Sequence, residues 1–137
     1  MIKQIDHIGI AVKDLDKQIK IYSDILGIIP GKAEIIEEQK VTIAMFPVGD
    51  IRIELLQATS DDSPIAKFIK KRGEGVHHIA YRVEDIDDQL KKLKENNFVL
   101  IDEQPKIGAE GNLIAFVHPQ STSGVLTELC QVINKVD

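Results

Sequence analysis

The sequence predicts an α+β fold built from two tandem βαβββ modules, and three observations carry that prediction. β-branched apolar segments are interspersed with a few helix-type segments, a mixture that neither an all-helical nor an all-strand chain shows. Residues 7–19 recur 71 positions later, pairing His7 with His78, Ile8 with Ile79, Val12 with Val83, Asp14 with Asp85, Asp16 with Asp87 and Gln18 with Gln89, six identities in thirteen. A second match follows at a shift of 74, where IRIELLQ and VLTELCQ set Glu54 over Glu128, Leu55 over Leu129 and Gln57 over Gln131. Two matches in the same order indicate one duplication; a solenoid would need three or more copies.

The elements follow in order. Residues 5–12, IDHIGIAV, are β-branched and apolar and predict a strand. DLDKQIKIYSDILG predicts a helix with Asp14 as N-cap, Gly27 just beyond its end, and Leu15, Ile19, Tyr22 and Leu26 as its buried stripe. Three further strands are expected near 33–38, 40–46 and 50–57, the last two joined by a turn from Pro47 to Asp50. SPIAKFIKKRG predicts a short connecting helix with Ser63 as N-cap, Pro64 at its first position and Gly73 ending it. VHHIAYRVEDIDDQL then restarts the pattern. The expected boundaries within one domain are 1–58 for the first module, 59–73 for the connecting helix and 74–137 for the second module.

A chain of 137 residues is long enough to bury a core without disulfides or a structural metal, so a metal found here would be suspected of doing chemistry. With 17 basic and 22 acidic residues the net charge is −5, which argues against a broad nucleic-acid or anionic-membrane surface and requires any anionic ligand to be met locally. The single cysteine, Cys130, rules out an internal disulfide and sits in an apolar setting that predicts a small core residue. The opening MIKQIDHIGIAV becomes polar too soon for a signal peptide, and no apolar run reaches the roughly 18 residues of a membrane span. The expectation is a soluble cytoplasmic protein.

Period-two alternation puts His7 on one strand face with Gly9 and Ala11, and His78 on one face with Ala80 and Arg82. A small residue two positions beyond each histidine leaves space above the imidazole, which a ligand site needs and a packed core avoids. A lone strand histidine is more often a core or surface residue than a ligand, and Glu54 beside Arg52 would by itself read as a solvent-facing charge. Repetition changes that weighting, because the duplication sets two His–Glu pairs at matched positions. His7, Glu54, His78 and Glu128 would form a His2Glu2 site suited to divalent cobalt, nickel, manganese, zinc or iron, with two positions left open if six-coordinate. The repeat register selects His78 rather than His77, and His118, beside Pro119, is expected to serve a loop.

The paired modules resemble the vicinal oxygen chelate superfamily, in which two such modules form a cupped mixed sheet around a metal. Within it, DHIGIAV, DDSPIAKFI, GVHHIAYRV, PKIGAEGN, FVHP and GVLTEL look like the methylmalonyl-CoA epimerases, SPIAKF and KIGAEGN being the more specific signals. The resemblance implies metal ligation by His7, Glu54, His78 and Glu128, with glutamine at the Glu54 position in some relatives and cobalt favoured as the ion. It implies methylmalonyl-CoA as substrate, a proton moved at the carbon between thioester and carboxylate, Glu128 as the candidate for that transfer, and a homodimer. Some relatives have a catalytic glutamate where this chain has Ile43. Lys106 is a candidate carboxylate contact; Lys67, Lys70, Lys71 and Arg72 are candidates for the CoA phosphates, with a solvated helix face the preferred reading. Glyoxalase I, with the same ligand set, and a ligand-sequestering protein of the bleomycin-resistance kind are the alternatives.

Overall fold

The computed structural model describes residues 1–133, and the chain packs as two compact units. His7–His77 forms one, and Met1–Asp6 together with the chain from His78 forms the other. Strand β1 (Ile2–Ala11) contributes to both, starting earlier than the apolar pattern alone predicts.

In the first unit β1 leads into α1 (Leu15–Lys20), followed by β2 (Ala33–Ile36), β3 (Val41–Val48), β4 (Ile51–Ala58) and α2 (Pro64–Arg72). Its strands lie in the order β2-β3-β4-β1, with β1 parallel to β4 and the other neighbours antiparallel. One sheet face packs on α1: Val12, Leu15, Ala44, Phe46 and Leu55 are buried together, with Ile19 and Tyr22 against them. Each fully buried side chain of this size contributes about 1.5–3 kcal/mol. Asp14 caps α1, its carboxylate accepting the Lys17 N–H at 3.1 Å, and Ser63 caps α2 ahead of Pro64. The β3–β4 turn is tight, Val48 pairing with Ile51 around Gly49 and Asp50, and Gly49 adopts φ +60°, which an L side chain rarely does.

Leu26 departs from the expected stripe. It is 58% exposed, because Ile21–Ile25 forms a π turn in which the Leu26 N–H reaches back five residues to the Ile21 carbonyl. The wider turn shifts the helical phase, so Leu26 rotates off the core and Ile28 packs there instead. The expected strand at 33–38 also stops at Ile36, where Glu37–Gln39 turns as a 3-10 segment.

The second unit repeats the plan with β5 (Gly75–Val83), α3 (Ile86–Glu95), β6 (Lys106–Ile107), β7 (Leu113–Val117) and β8 (Leu126–Gln131). Its order is β5-β8-β7-β6, again with one parallel pair, β5 and β8. Val83, Ile86, Leu90, Ala115, Val117 and Leu129 form its core between the sheet and α3. Asp85 caps α3 as Asp14 caps α1, accepting the Asp88 N–H at the same 3.1 Å. Cys130 is buried, as its apolar neighbours predict.

Candidate metal centre

In each unit the helix covers one sheet face and the predicted donors lie on the other. Parallel pairing sets Gly9 opposite Glu54 and His7 opposite Arg52, so the glutamate lies diagonally ahead of the histidine on the neighbouring strand. In the second unit Ala80 lies opposite Glu128 and His78 opposite Leu126, the same arrangement at the duplicated positions. The absence of a large side chain at Gly9 and Ala80 leaves each carboxylate room to reach its imidazole. His7 Nδ1 lies 3.3 Å from Glu54 Oε2, and His78 Nε2 lies 3.8 Å from Glu128 Oε1. All four residues are buried, none exceeding 5% exposure.

Burying carboxylates is unfavourable unless charge or hydrogen bonds compensate. Glu54 meets such compensation in Arg52, whose guanidinium lies 3.2 Å from Oε2. The equivalent position in the second unit is Leu126, so the residue opposite each histidine differs although the strand register matches. Apolar side chains wall each pair. Met45 pairs with Glu54 and Ile43 with Leu56 on the first unit's donor face; Phe116 pairs with Glu128 on the second, its ring edge-to-face with His78 at 5.8 Å. Ile43, on the first unit's donor face, is buried.

Other candidates separate from this face. His77 points away from it, stacks edge-to-face on Phe68 at 5.0 Å, and is lowered by burial from 6.5 to about 4, which keeps it neutral near pH 7. His118 caps a 3-10 turn, its Nδ1 accepting the Gln120 N–H, a loop role as the sequence suggests. On α2, Arg72 lies over the Phe68 ring, and Lys67, Lys70, Lys71 and Arg72 are all exposed.

Two structural roles escape the sequence reading. Gln57 and Gln131 accept the first helical N–H groups of α1 and α3, from Leu15 at 2.7 Å and Ile86 at 2.9 Å. Their alignment at a shift of 74 is the signal that marks them. Asp6 is buried and receives two hydrogen bonds from Arg82, at 2.7 and 3.0 Å.

Comparison with known proteins matches residues 6–116 to the Glyoxalase/Bleomycin resistance protein/Dioxygenase superfamily. The chain is 41% identical to the uncharacterized protein YqjC of Bacillus subtilis, over 93% of this chain and 91% of that protein. It is 40% identical to the ethylmalonyl-CoA/methylmalonyl-CoA epimerase of Cereibacter sphaeroides, over 96% of this chain and the whole of that one. The crystal structure of methylmalonyl-CoA epimerase from Mycobacterium tuberculosis superposes with a TM-score of 0.93 at 36% identity, covering 97% of this chain and 90% of that one. With its α+β fold and duplicated module, the chain belongs to the glyoxalase/bleomycin resistance/dioxygenase superfamily, the vicinal oxygen chelate fold, and is similar along nearly its whole length to methylmalonyl-CoA epimerases.

Proposed function

We propose that the protein is a divalent-metal-dependent methylmalonyl-CoA epimerase, with His7, Glu54, His78 and Glu128 as the ligands. The observation that carries this reading is the pair of buried His–Glu sites at duplicated positions, in a chain 40% identical end to end to a protein named as such an epimerase. The donor set fits a metal. Nitrogen and oxygen donors held at about 2.1 Å by one ion lie about 3.0–3.4 Å apart in octahedral or tetrahedral geometry, close to the 3.3 and 3.8 Å found within the two pairs. Two imidazoles and two carboxylates suit cobalt, our preferred ion, and also nickel, manganese or zinc.

The reaction interconverts the two epimers of methylmalonyl-CoA by removing the proton between thioester and carboxylate and returning it to the opposite face. A bound divalent ion would supply Lewis-acid stabilisation of the negative charge that develops on the substrate's oxygens. Glu128 is the group we assign to moving the proton at that carbon. Its companion Glu54 directs an oxygen at Arg52, whereas the position matching Arg52 beside Glu128 holds Leu126. Phe116, Met45 and Ile43 present apolar surface on the donor faces, which excludes bulk water from the acidic carbon. Ile43 has nothing to titrate, so the second proton carrier is a water or a loop carboxylate, Glu37 or Glu110.

A cytosolic location completes the proposal, consistent with the acidic composition and the single buried cysteine, and a homodimer is what the resemblance implies. The test supplies cobalt-loaded protein with (S)-methylmalonyl-CoA and, separately, with the hemithioacetal of glutathione and methylglyoxal. Formation of the (R) epimer with no turnover of the hemithioacetal is the expected result. The reverse would favour glyoxalase I, and binding without turnover of either would favour the sequestering protein.

A further inference from the structure

One cation on the donor face of the second unit takes no part in the proposed metal site. Strand β6 is only Lys106–Ile107, and its register sets Lys106 opposite Ile114, while Phe116, two residues along β7, lies opposite Glu128. Lys106, Phe116 and Glu128 therefore project from one face, with His78 against the Phe116 ring. The Lys106 ammonium lies 5.2 Å from the centre of that ring, so a single aromatic side chain links it to His78.

This placement is built into the fold. A Cβ at Gly108 would come within 2.7 Å of the Ile114 side chain, so any larger residue there would push Ile114 aside, and glycine lets the chain after Lys106 approach β7 closely. Asp102 is fixed by accepting the Phe116 N–H at 2.8 Å, and its other oxygen lies 3.4 Å from Lys106 Nζ. The lysine remains 42% exposed, and so open an ion pair holds its partner weakly enough to release it. Lysine is a point charge on a flexible stem, able to exchange one carboxylate for another without a fixed geometry.

Resting on the function proposed above, we infer that Lys106 is the specificity-determining contact for the free carboxylate of a malonyl-type acyl thioester. A protein of net charge −5 has to meet such an anion locally, and Lys106 stands one ring from His78 on the face where the substrate would react. The CoA phosphates are a poorer fit, since they lie at the far end of the pantetheine arm from the reacting carbon.

The experiment compares the holoenzyme with Lys106→Met and Lys106→Arg on methylmalonyl-CoA and on methylmalonyl-pantetheine, which keeps the carboxylate and lacks the phosphates. Calorimetry then compares binding of methylmalonyl-CoA and isobutyryl-CoA, in which a methyl replaces the carboxylate. Lys106→Met is expected to raise KM about tenfold or more for both thioesters, to leave isobutyryl-CoA binding unchanged, and to be largely rescued by Lys106→Arg. An unchanged KM overturns the inference, as does a loss confined to the CoA thioester, which assigns the lysine to phosphate. Equal weakening of isobutyryl-CoA binding overturns it too, by showing a structural role. If the wild type does not epimerise, the proposed activity fails while calorimetry still decides for Lys106. Preference for methylmalonyl-CoA over isobutyryl-CoA that disappears in Lys106→Met supports the contact, and absence of any preference contradicts it.

Discussion

Glu54 and Glu128 occupy matched positions with different neighbours, among them Arg52 against Leu126 and Met45 against Phe116. In the proposed site Glu54, with a guanidinium at 3.2 Å, is the ligand held in place, and Glu128, paired with Phe116 and Ala80, is the group assigned to proton transfer. Glutamine keeps the size and one oxygen donor while removing charge and basicity. Glu128→Gln should therefore keep a measurable part of the metal, read by elemental analysis, while epimerisation falls by about 10²–10⁴-fold, the usual contribution of a positioned acid–base group. If each face has its own proton carrier, this variant still exchanges deuterium into one epimer without converting it. Full activity with metal bound would remove Glu128 from the proton path. The histidines make a separate test: His7→Ala and His78→Ala should each weaken metal binding by more than the 10–100-fold that losing a mere neighbour of a ligand costs, with far-UV circular dichroism unchanged. Unfolding of both would make the site structural.

Among the elements, the parts legible in the sequence are those whose signal is local or repeated. The caps Asp14, Asp85 and Ser63 stand where their residue types predict, and the repeat registers correctly align β1 with β5 and β4 with β8. The π turn at Ile21–Ile25 is not legible, because an apolar pattern of period 3.6 does not announce a five-residue hydrogen bond, and this is why the pattern puts Leu26 in the buried stripe when it is exposed. The two-residue strand β6 is too short for any alternation and is fixed instead by the close approach of Gly108 to Ile114. Gln57 and Gln131 were visible as a repeat, but which N–H they accept depends on how a strand end meets a helix start far away in sequence. Gln57→Ala and Gln131→Ala should each cost about 1–3 kcal/mol, because each leaves a helix-start donor without its partner. Urea unfolding monitored by circular dichroism measures it, and no change in midpoint for either would show that water replaces the glutamine.

For the whole molecule, duplication is what makes a candidate site legible in one sequence: each donor is weak evidence alone and gains weight from its copy. Both units then build the same thing, a sheet with a helix on one face and, on the other, a buried histidine and glutamate from parallel neighbours. No helix among the described residues is long and apolar enough to cross a membrane. In the function proposed above, these two half-sites serve proton transfer at the carbon between a thioester and a carboxylate. The most direct measurement incubates cobalt-loaded protein with a single epimer of methylmalonyl-CoA in heavy water and follows the epimerisable carbon by proton NMR. The account predicts deuterium at that carbon together with appearance of the other epimer, both abolished by His78→Ala; retention of the original proton and configuration by metal-loaded, folded wild-type protein would contradict it.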